Sequence, residues 1–329
     1  MQEGYRIHWF PLAGLALLLT AGTDLRAQVS TFNVFKITVY QQTSPAPPVA
    51  PDAPNAYFFG AQLNTTNSFG YVDVYFDGPN QSAYLNELTP FYFDFGSPYY
   101  ADKPDFDADY PGGEYDFYVD HANFSEFGSV TIPGQEFYAA NSAAFTTNCW
   151  NALQQVDPAM VFTLNWNSFA ASPGTTSAYS FIDIYDENAG TEPFAADFLT
   201  PDTVTTNIPA NTLRYGKTYR INAIFSNRQD TSNAGFGSAL GTVGFDKLTY
   251  AQLVTIPPWL HIALANTNVL LTWPALATNF ELQAVNQLPG PGVWPAVTNQ
   301  PAIVGSTNVL LLPAAAASEF FRLAAVNSL

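Results

Sequence analysis

Residues 70–78 read GYVDVYFDG, and the alternation in that stretch decides the fold class. Successive side chains of an extended strand point to opposite sides. Val72, Val74 and Phe76 therefore share one face, and Tyr71, Asp73, Tyr75 and Asp77 share the other. One face is apolar enough to be core and the other is wet. The stretch YDFYVD at 115–120 repeats the pattern, with Phe117 and Val119 inward and Asp116, Tyr118 and Asp120 outward, and FKITVY at 35–40 alternates likewise. No long segment carries a helical period, while strand-like runs recur between Pro, Gly and Asn clusters, so the chain is expected to be all-β.

The first residues place Arg6 and His8 before an apolar run from Trp9 to about Ala21, with a small residue at Ala27. That is the pattern of a secretory signal peptide over 1–27. The run is too short to span a bilayer as a helix, which takes roughly 20 apolar residues, so no transmembrane segment is expected after cleavage and the protein is expected to be secreted. No cysteine stands directly after the expected cleavage site, so no lipid anchor is expected. The one cysteine, Cys149, allows no intrachain disulfide and reads as a buried, inert thiol beside Trp150. The leader holds two acidic residues (Glu3, Asp24) and two basic ones (Arg6, Arg26), so the net charge of −17 stays with the mature chain. Binding nucleic acid needs clustered Lys and Arg, and this balance excludes it, along with anionic membrane surfaces. Divalent cations and neutral polymers remain compatible partners, and surface carboxylates also keep an aromatic-rich secreted protein soluble.

Three blocks follow the leader. The first, 28–140, includes the proline-rich stretch SPAPPVAPDAP (44–54), read as a loop within it. The second, 141–256, carries strands at MVFTLNW, AYSFIDIY, DTVTTNI, KTYRINAIF and VGFDKLTY. Within it, LRYGKTYRINAIF resembles the fibronectin type III pattern of Leu213, Gly216 and Tyr219. The resemblance implies an immunoglobulin-like sandwich in which Tyr219 forms a tyrosine corner, with Tyr215 standing where the family usually has Pro and Trp166 where such domains bury an early tryptophan. It covers about 115 residues and implies a fold rather than an activity. The third block, 257–329, opens on NVLLTW, whose Trp273 echoes Trp166 at the end of an apolar strand. From Trp273 through NFELQ and Trp294 to EFFRL it resembles a small β module found at the C-terminus of many secreted bacterial proteins, where it is an accessory tail. The expected architecture is thus a row of antiparallel β-sandwich domains.

Catalytic constellations are sparse. His121 and His261 fall in different blocks, with no zinc spacing. No G-x-S-x-G elbow occurs, and the Gly-rich run GFGSALG at 235–241 lies between strands, with no helix to cradle phosphate. A hydrolase built on a carboxylate pair is a third reading, since a chain this acidic always offers some pair.

Two features point to ligands. In PDFDADYPGGEYDFYVD (104–120), Asp105, Asp107 and Asp109 resemble the start of a calcium loop. An EF-hand, however, wants Gly at the sixth position and Glu at the twelfth, and this chain has Tyr110 and Asp116. Pro111-Gly112-Gly113 should turn the chain into a strand that carries Asp116 away, so a solvated acidic loop is the favoured reading and a non-EF calcium site the alternative. No other cofactor is expected. The second feature is the outward tyrosines: Tyr71, Tyr75 and Tyr118 beside carboxylates offer the stacking surface and hydrogen-bond acceptors of a glycan site, although aromatics also fill strands for propensity alone. Together these point to a secreted, non-enzymatic binding, adhesion or scaffold protein whose partner is an extracellular glycan or another surface protein. The alternative is a carbohydrate-binding accessory to polysaccharide degradation.

Overall fold

A computed structural model describes residues 29–66, 72–121, 124–231, 235–237, 239–288, 293–314 and 319–326. The expected signal peptide and Tyr71 lie outside these residues. The chain is all-β. In order, the first strands are β1 (Val29–Gln41), β2 (Tyr57–Thr65), β3 (Asp73–Asp77), β4 (Ser82–Tyr84), β5 (Asn86–Thr89) and β6 (Tyr92–Gly96). A short helix α1 (Lys103–Asp109) precedes β7 (Gly113–His121) and β8 (Phe124–Ile132), and a second, α2 (Thr147–Ala152), leads into β9 (Phe162–Asn165). There follow β10 (Ser177–Asp186), β11 (Thr191–Leu199), β12 (Thr205–Ile208), β13 (Thr218–Thr231) and β14 (Leu240–Val254). The last strands are β15 (His261–Ala265), β16 (Asn268–Pro274), β17 (Phe280–Val285), β18 (Ala302–Val304), β19 (Thr307–Pro313) and β20 (Phe320–Ala325).

One sheet organises the described residues between 29 and 256. Its eight strands run in the order β11-β10-β13-β14-β1-β2-β6-β5. At its centre β1 pairs in parallel with β14, Val34 opposite Val243 and Val39 opposite Leu248. The sheet therefore runs unbroken through the division expected at 140 and 141. A parallel pair needs a long crossover, and here nearly 200 residues of chain separate its two partners, which is why alternation within each strand gives no hint of it.

Two cores lie side by side on one face of this sheet. Over the β1-β2-β6 half packs a four-stranded sheet, β4-β3-β7-β8. Phe59 meets Phe76 at 5.7 Å and Phe32 meets Phe117 at 5.5 Å between ring centroids, and Phe76, Tyr115 and Phe117 are all fully buried. Each such ring removed from water stabilises by roughly 1.5–3 kcal/mol. Over the β10-β13 half packs the β9-β12 pair with α2, where Trp166 (2% exposed), Leu164, Ile184 and Ile221 form the second core together with the buried Cys149. Between the cores runs a polar seam bridged by the segment after β8. Glu136 meets Lys36, the Phe137 carbonyl accepts from Asn227 Nδ2 at 2.7 Å, and the Ala140 carbonyl accepts from Lys247 at 3.2 Å. The first core also takes in Phe236, Val243 and Phe245, so it is not confined to residues before 140, while the second draws on residues between Ala139 and Leu253.

The tyrosine corner is present: the Arg214 N–H donates to the Tyr219 hydroxyl at 2.8 Å. Gly216 has φ 62°, and a Cβ there would meet the Phe280 ring at 2.6 Å, so both conformation and space demand glycine. Tyr215, in place of the usual Pro, has its own role. Its side chain is buried among Leu271, Trp273, Leu282 and Leu310 of the last block. Its carbonyl accepts from Asn279 Nδ2 at 3.1 Å, and its hydroxyl donates to Asp157 at 3.2 Å. The departure from the family pattern is thus the joint to the last block. There the sheet β15-β16-β19-β18 faces the pair β17-β20, with Trp273 buried at 5%.

In the last two blocks the sequence carries no signal for the strands β11, β15 and β18. β11 carries Pro193 and is the outermost strand of the long sheet, the one place a strand tolerates a missing donor. β15 and β18 are also edge strands, and VWPAV forms only an isolated bridge from Ala296 to Gln283, with Val293 91% exposed.

Candidate functional site

The acidic stretch is a helix rather than the expected loop. Pro104 occupies its first turn, where a missing N–H costs nothing, Asp105 complements the N-terminal dipole, and Phe106 and Tyr110, one turn apart, bury one side. Carboxylates at alternate positions of a helix diverge around it, so Asp105, Asp107 and Asp109 do not converge on an ion. Asp105 is exposed, and Asp109 accepts from the Tyr100 hydroxyl at 2.7 Å. Asp107 belongs to a closed ring of alternating charges. Lys36 Nζ lies 2.5 Å from Asp107 and 2.7 Å from Glu136, while Lys103 Nζ lies 2.5 Å and 2.8 Å from the same two groups. Burial pushes the Asp107 carboxyl up, but the ammonium groups of Lys103 and Lys36 outweigh it and hold it below its usual range. Lys36 is 2% exposed and sits 4.7 Å over the Phe106 ring. The cations beside Asp107 are therefore the chain's own Lys36 and Lys103, and among the described residues no group of three His, Cys, Asp or Glu side chains is placed to hold a metal ion.

Of the outward tyrosines, Tyr75 and Tyr118 come together. Tyr75 of β3 is in register with Tyr84 of β4 on one side and Tyr118 of β7 on the other, and Tyr118 is in register with Phe127 of β8. The four rings form a continuous row across the outer face of the four-stranded sheet. Tyr84 and Tyr75 lie 5.5 Å apart and tilted, Tyr75 and Tyr118 stack at 4.8 Å and 13°, and Tyr118 and Phe127 stack at 6.2 Å and 30°. Stacking consumes the faces of the inner rings, leaving their edges and hydroxyls outward. The open faces are at the ends, on Tyr84 (67% exposed) and Phe127 (55% exposed).

Polar rows flank the rings. On one side Ser82, Asp77, Asp116 and Ser129 stand in register, and on the other Asp73, Asp120 and Ser125. The Ser129 hydroxyl donates to Asp116, and the Ser125 hydroxyl to Asp120 at 2.5 Å. Loss of water around the Tyr75 hydroxyl, then its hydrogen bond to Asp120, push its pKa up to about 12. Burial followed by the Asp116 charge raises Tyr118. Both phenols therefore remain proton donors at any physiological pH. The rows put four carboxylates beside the rings, and neither rows nor rings carry a cation. Tyr84 and Phe127 escaped the sequence reading, because β4 is only three residues long and Phe127 lies in FSEFGSV, where glycine interrupts the alternation.

A second group of carboxylates lies across the molecule, on the opposite face of the long sheet. Asp183 of β10 accepts from Asn222 Nδ2 at 2.6 Å, and burial lifts its pKa to about 6. Glu192 of β11 rises to about 7 through burial and then the charges of Asp183 and Asp197. They neighbour three rings in edge-to-face contact, Tyr179, Phe181 and Phe198. Carboxyls that titrate near neutrality are a starting material for acid–base chemistry, but this pair stands on the outermost hairpin of the sheet.

No protein family matches this chain, and no curated protein is matched. Among solved structures it is similar to the FN1–FN3 domains of chicken CNTN1 at 9% identity, covering 92% of this chain and 94% of that one with a TM-score of 0.20. It is similar to a bacterial ice-binding adhesin at 11% identity, covering 88% of both chains with a TM-score of 0.21. A tetra-tandem repeat from the extending region of a large adhesion protein aligns at 8% identity over 91% of this chain and 75% of that one, with a TM-score of 0.26. Identities and scores this low say nothing of a shared ligand or role.

Proposed function

We propose that this is a secreted, non-enzymatic binding protein whose four-stranded sheet holds a neutral polysaccharide across its outer face. The observation that carries the reading is the aromatic row Tyr84–Tyr75–Tyr118–Phe127 bordered by carboxylate and serine rows. Sugar hydroxyls are donors that suit Asp73, Asp77, Asp116 and Asp120, and sugar C–H faces suit the open rings at the two ends of the row. The absence of cations from these rows disfavours phosphate, sulfate and uronate groups, which carboxylates repel. Calcium has no part in the reading. A row of cross-strand rings also stabilises its sheet, so the end rings are the informative ones, because they lie outermost and are the least needed for packing.

Affinity electrophoresis and calorimetry against a panel of neutral and acidic polysaccharides test the proposal. Tyr84→Ala and Phe127→Ala should each weaken binding of a neutral glycan roughly five- to tenfold, which is about 1–1.4 kcal/mol, with little change in melting temperature. A basic protein surface would meet the same carboxylates. Its binding would collapse as salt is raised, whereas glycan binding would not.

A further inference from the structure

The chain is charged very unevenly. Residues 257–329 hold three charged side chains, Glu281, Glu319 and Arg322, so all but one unit of the net −17 lies elsewhere. The same block carries a large share of the chain's exposed apolar side chains. Two of them, Ile262 (48% exposed) and Leu264 (76%), are on β15, the edge strand of its four-stranded sheet. Ile262 is in register with Leu271 and Leu264 with Val269, so both point to the core side of the sheet. They remain open because the facing pair β17-β20 is only two strands wide.

Edge strands in monomers are normally blunted by charge, proline or bulges. β15, His261-Ile262-Ala263-Leu264-Ala265, has no proline or carboxylate, and its register with β16 is unbroken. The geometry points to a second copy of this chain as its occupant, pairing β15 antiparallel with β15 around Ala263. Such a pair is self-complementary. Ile262 of each copy falls opposite Leu264 of the other on the core side, closing an apolar patch that one copy leaves open, while each His261 falls opposite an alanine and the two imidazoles stay apart. The joined sheets would form one eight-stranded sheet under two-fold symmetry. Charge favours this end of the molecule, since the acidic lobes of two copies repel and the nearly neutral block is where two copies approach at least electrostatic cost. Independently of what the other face binds, such a dimer would present every other surface twice.

Sedimentation equilibrium of the full mature chain at roughly 1 to 100 µM tests this. A dimer is expected, tightened by added salt as the lobes are screened. Leu264→Lys should leave a monomer at all these concentrations with an unchanged far-UV circular dichroism spectrum, while Leu311→Lys, on the opposite side of the same sheet, should remain dimeric. Should Leu264→Lys fail to fold, Ala263→Cys decides the matter: mild oxidation should cross-link it as a dimer, the native Cys149 being buried. A monomer at 100 µM, a Leu264→Lys variant that still dimerises, or an Ala263→Cys variant that resists cross-linking would each overturn the proposal.

Discussion

Lys36 lies in the middle of a buried strand, and the ring of charges around it makes an asymmetric prediction. Neutralising its partners with Asp107→Asn and Glu136→Gln leaves an ammonium, 2% exposed as a residue, without a counter-charge. Removing one side of a buried pair in this way costs about 3–5 kcal/mol. Lys36→Met instead leaves Asp107 and Glu136, whose side chains are 38% and 21% exposed, still paired with Lys103 and reachable by water. That change should lie within about 1 kcal/mol of neutral. Urea melts of the mature chain at pH 7 compare the two directly. The folded pKa of Asp107 is depressed, so its share of the stability is present above the unfolded carboxyl pKa and is lost as pH falls through the lower folded value; the parent's acid limb should therefore flatten in the double variant. Calcium should stabilise neither protein beyond an equal ionic strength of sodium chloride. Equal costs for Lys36→Met and the double neutralisation, or a calcium-specific rise in melting temperature abolished by Asp107→Asn, would refute this account of the acidic helix.

Three further outcomes follow. Tyr219→Phe keeps the ring and removes only the acceptor of the Arg214 N–H, so it should cost about 1 kcal/mol if water replaces the hydroxyl and up to about 3 if the group stays dry; an unchanged midpoint in denaturant would mean the corner bears no load. Trp166→Ala and Trp273→Ala each empty a buried site and should cost roughly 3–5 kcal/mol, and free acrylamide quenching of both tryptophans in the native protein would contradict their burial. Asp183 and Glu192 have folded pKa values of about 6 and 7, above their unfolded values. The folded chain therefore holds more protons between about pH 4 and 7, and these groups' contribution declines as pH rises through that window. The loss should be about 1 to 3 kcal/mol after solvent screening of Glu192, and Asp183→Asn with Glu192→Gln should remove that slope from a series of chemical melts.

Much of the fold is legible in the sequence because alternation is local. Val74 and Phe76 face the core and Asp73 and Tyr75 face out as their spacing requires, and Leu213, Gly216 and Tyr219 form the corner their motif implies. What escapes is non-local. Nothing in FKITVY says that its strand will lie parallel to VGFDKLTY and fuse two blocks into one sheet. Lys36 was a signal in its own right, since a lysine inside an apolar strand needs counter-charges, and Asp107 and Glu136 supply them from 71 and 100 positions away. The acidic stretch was misleading because aspartates at every second position imitate both a metal loop and a strand. The i,i+4 pair Phe106 and Tyr110 behind Pro104 was the signal that favoured a helix. Of the candidate binding face, Tyr75 and Tyr118 were visible as outward residues. Their assembly into a row with Tyr84 and Phe127 depends on register between four strands, which no single strand encodes.

The outer face of the four-stranded sheet is proposed to bind a neutral polysaccharide through the ends of its aromatic row. The most direct measurement is calorimetric titration of the mature chain with the best neutral ligand from the polysaccharide panel, at low and high salt, for the parent and for Tyr84→Ala/Phe127→Ala. Salt-insensitive binding that falls at least tenfold in the double variant, with melting temperature preserved, is the predicted result. Neutral-glycan binding that is absent across the panel, or that survives the double variant unchanged, would contradict it and leave the row as a stabiliser of its sheet.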